Sequence, residues 1–197
     1  MGRALTSVCV YCGSADHLRA EYLDAAYAMG QFLAQSGIHI VYGAGKTGLM
    51  GKLADGALNA GGKVTGVVPR NLFTPALIHT SLTILEVVDD IQVRKARMSE
   101  LAEGFVALPG GYGTFDELFE TLTWAQIGLH SKPIGLLNVS HYFDPLIKLV
   151  ANAWQEGFIY PGHQNLLLED TDPRRLIEKM ENYSPPGDLE KWVNRDE

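Results

Sequence analysis

The sequence predicts an α/β protein, a Rossmann-like, doubly wound parallel sheet with helices on both faces, and three observations carry that expectation. Short β-branched runs alternate with helical patterns along nearly the whole chain. Several runs, such as 7–12 and 105–108, are apolar almost without interruption, as strands are when both faces of their sheet are covered. Glycine-rich turns stand where strands hand over to helices, at 43–48 and 109–114.

Taken in order, strands are expected at 7–12, 38–42, 63–68, 82–87, 105–108, 133–137 and 166–169. Helical patterns fall between and after them, at about 20–36, 48–60, 90–103, 114–128, 143–156 and 173–182. No internal repeat or low-complexity tract interrupts this order. The expectation is one domain over 1–183, then a polar C-terminal tail over 184–197 that opens on Ser184-Pro185-Pro186-Gly187. In such a sheet, ligands sit outside the carboxyl ends of the strands, so the loops that follow strands are where function is sought.

Composition narrows the function. The chain has 197 residues, 46% hydrophobic and 20% charged, with a formal net charge of −7. No stretch gathers Lys and Arg densely enough for a nucleic-acid footprint, and no apolar run approaches the roughly 20 residues of a membrane span. An anionic ligand has to be captured locally, by backbone amides and a few placed cations. The N-terminus leads straight into the first strand with no small-residue cleavage site, so a cytoplasmic protein is expected. Cys9 and Cys12 have the spacing of a redox pair or metal knuckle, but they lie in a strand. Positions three apart point to opposite faces there, so two buried free thiols are expected, in keeping with a reducing compartment. The six His are scattered without ligand spacing, and no metal site is read.

Gly43, Gly45 and Gly48 match the dinucleotide fingerprint G-x-G-x-x-G. The acidic residue that should close the next strand is missing, since that strand ends Val67-Val68-Pro69-Arg70. A P-loop is excluded because its first glycine would fall on Ile40. Two readings stay open: amides approaching an anion at a helix N-terminus, or glycines needed only for a tight turn. The second loop, Pro109-Gly110-Gly111-Tyr112-Gly113-Thr114, is richer. Three glycines in four positions before an amphipathic helix make a nest of amides able to wrap a phosphate. Two such loops at one sheet edge suggest a nucleoside monophosphate.

Glu117 reads two ways. Thr114-Phe115-Asp116-Glu117 matches the capping box, in which Thr caps a helix and the Glu reaches back to the cap amide. Equally, a carboxylate one turn above a phosphate nest faces the ribose of a bound nucleotide, where it can stabilise the oxocarbenium-like state of N-glycoside cleavage or activate water. Upstream, Asp89-Asp90 opens a helix carrying Arg94, Lys95, Arg97 and Met98. Arg94 and Lys95 are candidates to clamp phosphate or ribose, whereas Arg97 is expected on a solvated face.

These residues resemble the Lonely Guy (LOG) phosphoribohydrolases, a family long mislabelled as lysine decarboxylases. The hallmark P-G-G-x-G-T-x-x-E is met from Pro109 through Glu117, and the R-K element by Arg94-Lys95 with Met98 three residues on. The segments Tyr11-Cys12-Gly13-Ser14, Gly48-Leu49-Met50-Gly51 and 123–138 also look typical, so the resemblance runs to about Met180. The resemblance implies Rossmann-like homodimers that release a cytokinin base, in some members adenine from AMP, together with ribose 5-phosphate, and that use no cofactor and no metal. It implies Glu117 and Arg94 as the catalytic pair. Phosphate and ribose contacts are implied at Gly110, Gly111, Tyr112, Gly113, Thr114 and Asp116, at Lys95 and at Thr123. Ser14, Gly43, Gly45, Gly48 and Met98 complete the expected substrate-binding set.

Three departures bear on the choice of base. Ala44 replaces the middle of three usual glycines, Ile91-Gln92-Val93 stands where a Met-His-Glu-like stretch is common, and Ala76 replaces a frequent acidic residue. The rival readings are a lysine decarboxylase, an AMP nucleosidase of housekeeping type, and a nucleotide-binding module without turnover. The first needs pyridoxal phosphate on a lysine, and Lys46, Lys52, Lys63 and Lys95 carry no signature of one.

Overall fold

Seven parallel strands form one sheet in the computed structural model, which describes residues 3–187. They are β1 (Ser7–Tyr11), β2 (His39–Tyr42), β3 (Val64–Pro69), β4 (Ile84–Val88), β5 (Phe105–Ala107), β6 (Ile134–Leu137) and β7 (Leu167–Asp170), in the order β4-β3-β2-β1-β5-β6-β7. The chain works outward from β1 to β4, returns to lay β5 beside β1, and works outward again to β7. Cys9 pairs with Phe105 and Tyr11 with Ala107 across that return. Strand order reverses there, so a crevice opens at the carboxyl ends of β1 and β5.

The connecting helices are α1 (Ala20–Gln35), α2 (Gly48–Asn59), α3 (Ile91–Leu101), α4 (Tyr112–Gln126), α5 (Asp144–Gln155) and α6 (Pro173–Glu181). Every strand and helix lies within two residues of its expected bounds. α4 starts two residues early, which changes the site. Residues 188–197 of the expected polar tail lie outside the described residues. Among the described residues, no helix is long and apolar enough to cross a membrane.

The two sheet faces bury separate cores, and β1 feeds both by simple alternation. Val8, Val10 and Cys12 pack with Leu33, Leu53 and Met180 under α1, α2 and α6. Cys9 and Tyr11 pack with Met98, Phe105, Leu118 and Phe143 under α3, α4 and α5. The thiols therefore face opposite cores as unpaired, buried cysteines. Burial raises both far above the ordinary thiol range.

Apolar surface stays uncovered in several places, two of them at the flanks of the sheet. Ile84, Leu85 and Val87 are exposed on edge strand β4, close to Ile91 and Val93 at the start of α3. Across the molecule, no residue of α5 is fully buried, and Leu149 and Phe158 are 61% and 83% exposed.

Candidate active site

Helix α4 begins at Tyr112, capped by the backbone of Gly111 with no side-chain cap. Its first intrahelical bond runs from the Phe115 amide to the Gly111 carbonyl at 3.0 Å. The amides of Gly111, Tyr112, Gly113 and Thr114 thus have no helical acceptor, as at any helix start. A Cβ on Gly111 or Gly113 would meet nothing within 4 Å, so this backbone is open to a ligand. The capping-box reading of Thr114 and Glu117 is therefore wrong. Thr114 already sits in the first turn and Glu117 one turn deeper, too far along the helix for its carboxylate to reach a cap amide.

Glu117 reaches across to α3 instead. The Asp90 side chain caps that helix, accepting from the amides of Gln92 and Val93 at 2.8 and 2.9 Å. One turn on, Arg94 Nη1 donates to Glu117 Oε1 at 2.9 Å, and Arg94 Nε donates to the Val67 carbonyl at 3.0 Å. Both side chains are largely buried, with 13% and 11% of their surface exposed. Burial pushes the Glu117 carboxyl up from the usual range, and the Arg94 guanidinium works against that rise. Glu117 Oε2 accepts no hydrogen bond from the described residues. Beneath the pair, the Thr121 hydroxyl donates to the Glu117 carbonyl at 2.8 Å and lies 3.0 Å from the Tyr11 hydroxyl, tying α4 to β1.

A Cβ on Gly43 would fall 1.8 Å from Arg94 Nη2. Glycine is needed there to admit the guanidinium, a reason that neither sequence reading of the first loop contained. Gly48 is held at a φ of 59°, and a Cβ on it would strike the backbone of Ser14 and Ala15. The first loop is thereby a tight packing turn. Its Ala44 also adopts a left-handed φ of 64°, where a side chain costs about 1–2 kcal/mol. The Ala44 carbonyl accepts from the His79 amide, and Gly45 bridges to Ile78, so the 70–79 segment closes over this loop.

The two glycine loops meet at a cavity of about 690 Å³ at the β1/β5 crevice, within the usual range for small-molecule sites. Ten expected residues line it: Glu117, Arg94, Gly110, Gly111, Tyr112, Gly113, Thr114, Ser14, Gly43 and Gly45. Much of the remaining wall is apolar, built from residues such as Leu18, Leu49, Met50, Leu72 and Ile78. Tyr22 and Tyr142 also line the cavity and were not anticipated, because nothing local in their sequence marks them.

Five expected residues do not line it. Gly48 acts through the packing just described. Met98 is buried in the core under α3: it shares the helix face of Arg94 but lies one turn, about 6 Å, further along and clear of the cavity. Lys95 Nζ is bound to Asp116 at 3.1 Å and to Glu120 at 3.0 Å, which occupies both Lys95 and Asp116. Burial disfavours the Lys95 ammonium, but its bonds to Glu120 and Asp116 outweigh that and raise its pKa. Thr123 lies exposed further along α4, its hydroxyl donating to the Phe119 carbonyl. Arg97 stays off the cavity as expected, held by Glu86 and Glu100.

A Rossmann-like domain with a buried carboxylate–guanidinium pair one turn inside a row of free helix-start amides defines a class of protein with an anion-accepting helix start beside a buried acid. Comparison with known sequences agrees. The family model described as possible lysine decarboxylase matches residues 50–180. A cytokinin riboside 5′-monophosphate phosphoribohydrolase of Arabidopsis thaliana is 40% identical over 90% of this chain and 84% of its own length. The LOG enzyme of that name from Oryza sativa subsp. japonica is 42% identical over 90% of this chain and 74% of its own. The chain belongs to the Lonely Guy family. Among solved structures, the molybdenum cofactor binding protein of Rippkaea orientalis superposes with a TM-score of 0.68 at 21% identity, covering 92% of this chain and 98% of that one. The molybdenum cofactor carrier protein of Chlamydomonas reinhardtii gives 0.65 at 20% identity, covering 91% and 97%. These two share the fold. The decarboxylase in the family description finds no support in the site: no lysine lines the cavity among the described residues, and Lys46 Nζ is committed to the Pro75 carbonyl at 2.6 Å.

Proposed function

We propose that this protein hydrolyses the N-glycosidic bond of nucleoside 5′-monophosphates, cytokinin ribotides among them, releasing the free base and ribose 5-phosphate. The observation that carries the reading is Glu117, a buried carboxylate with one oxygen held by Arg94 and the other free, one turn from the open amides of its own helix. The 5′-phosphate sits on the amides of Gly111 to Thr114, where the helix dipole favours negative charge. This puts the sugar next to Glu117. As the bond from C1′ to the base nitrogen breaks, positive charge grows on the sugar, and the Glu117 carboxylate stabilises it or takes a proton from the attacking water. The water oxygen joins C1′, and the electrons of the broken bond leave with the base, which takes up a proton. Arg94 favours the ionised form of Glu117, opposing the effect of its burial. The apolar wall favours a base bearing an isoprenoid chain over plain adenine.

The test is a panel of nucleoside monophosphates assayed for free base and ribose 5-phosphate, each paired with its nucleoside. Loss of the phosphate should lower kcat/KM on the order of a hundredfold, as expected when two charge-assisted hydrogen bonds are lost. Equal rates on both members of a pair would remove the glycine loop as a phosphate site.

The chain is also proposed to act in the cytoplasm as a homodimer. The uncovered apolar side chains of β4 and the start of α3 support a second copy there. Lys95, Asp116 and Thr123 lie off this cavity, so any contact they make to substrate would be to the cavity of that copy. Sedimentation of the full chain should give twice its 21.6 kDa mass, and a monomer at assay concentration would sink the dimer.

A further inference from the structure

The Tyr142 hydroxyl donates to the Gly110 carbonyl at 2.5 Å, joining the loop after β6 to the amide nest 32 residues earlier. The bond closes on a peptide flanked by glycine on both sides. Gly110 and Gly111 both lack a Cβ, so the peptide between them has little steric resistance to turning over. A turn would present a carbonyl oxygen to the bound phosphate where the Gly111 amide should be. The preceding peptide is already fixed, because the Gly13 amide donates to the Pro109 carbonyl at 3.0 Å. Gly110 itself is wedged, with a Cβ there falling 2.1 Å from Thr114 Oγ1 and 2.9 Å from the Gly13 amide. Only the Gly110 carbonyl is left to settle, and Tyr142 takes it.

The loop that delivers Tyr142 is itself tightly determined. Asn138, 3% exposed, accepts from the Phe143 amide at 2.8 Å and donates to Asp144 at 2.9 Å. Between them, Ser140 and His141 both hold left-handed φ values of 49° and 59° without being glycine. Such strain persists where the surrounding structure over-determines it. The Tyr142 ring then stands edge-on to Phe143, with centroids 5.0 Å apart, and to Tyr22 at 5.9 Å.

We infer that Tyr142 is a positioning residue for the reaction, locking the Gly110–Gly111 peptide so that its amide faces the substrate's 5′-phosphate. This rests on the phosphate-binding role proposed for the glycine loop. It predicts a loss confined to phosphate recognition. Tyr142→Phe, which removes only the hydroxyl, should raise KM for a nucleoside monophosphate about fivefold to tenfold with little change in kcat, the size expected of one hydrogen bond. The residual rate on the matching nucleoside should not move, and neither should Tm beyond a few degrees. Calorimetric titration with ribose 5-phosphate should show the same weakening and needs no turnover. If wild type binds ribose 5-phosphate and the variant binds it equally well, the inference falls while the hydrolase reading stands. It falls too if both substrates lose rate by one common factor, since that is the mark of general loosening. If wild type binds ribose 5-phosphate but cleaves no monophosphate, the hydrolase reading fails, and the titration still decides the role of Tyr142. Absence of any binding to wild type overturns both.

Discussion

Glu117→Gln is expected to lower ribose 5-phosphate release by about three orders of magnitude, within the range for losing a positioned acid–base group. The amide is close to isosteric and can still accept from Arg94 Nη1, so the cavity keeps its shape. What it loses is the negative charge facing the sugar and the ability to take a proton. Binding of ribose 5-phosphate should survive, because the nest amides are untouched. Two effects on stability oppose each other, since the buried Arg94 guanidinium loses its counter-charge while a carboxylate disfavoured by burial is removed, so the net change should be small. Burial raises the Glu117 pKa, so the folded state holds that proton more tightly than the unfolded chain does. Ionised Glu117 therefore costs stability as pH rises from the ordinary glutamate value of 4.5 through the raised one, and Gln removes that cost. Steady-state rates beside a thermal melt at neutral pH check both arms. A variant that hydrolyses at the wild-type rate would reduce Glu117 to a structural residue.

Arg94→Ala should be the second most damaging change, cutting turnover by about a hundredfold or more and destabilising the fold as well. Truncating one partner of a buried ion pair leaves the other uncompensated, at a typical cost of about 3–5 kcal/mol. Here the orphan is Glu117, which then picks up a proton more readily and loses its catalytic form. The signature is in the pH dependence. The acid limb of kcat should move to higher pH, and the stability deficit should shrink at low pH, where Glu117 is neutral, and grow as pH rises through its pKa. An unchanged rate together with an unshifted limb would return Arg94 to a purely structural place between Val67 and Glu117.

Fold and site were legible to different depths. Strand and helix positions came through because their signals are local: apolar runs for buried strands, amphipathic spacing for helices, glycine at the handovers. Pro109 to Glu117 stood out by the same logic. The register of α4 did not, since Thr114-x-x-Glu117 carries a genuine capping signature and Gly111 has no side chain to announce an earlier start. The wedge of Gly110 between Gly13 and Thr114 lies at that earlier start, and Gly13 is a contact from another strand's loop. The role of Gly43 was hidden for a similar reason: a glycine reads the same whether it admits a phosphate or a guanidinium. Arg94 and Lys95 are neighbours in sequence yet turn to different partners, a distinction that depends on where α4 lies. Tyr142 belongs to the loop after β6, and only the placement of β6 beside β5 brings it to the nest.

The pairing of β1 with β5 has a consequence beyond placing the crevice. Arg94 lies on α3, the return helix that packs on the β1–β4 half of the sheet, and Glu117 on α4, which opens the half wound outward from β5. Their 2.9 Å bond is therefore a rivet across the joint of two half-sheets, and no rearrangement inside either half can assemble it. Small relative slips of the halves, too slight to unfold anything, would part it. Side chains that weld the joint, such as Tyr11 stacked on Phe105 at 6.0 Å, thereby answer to the chemistry although they lie in the core.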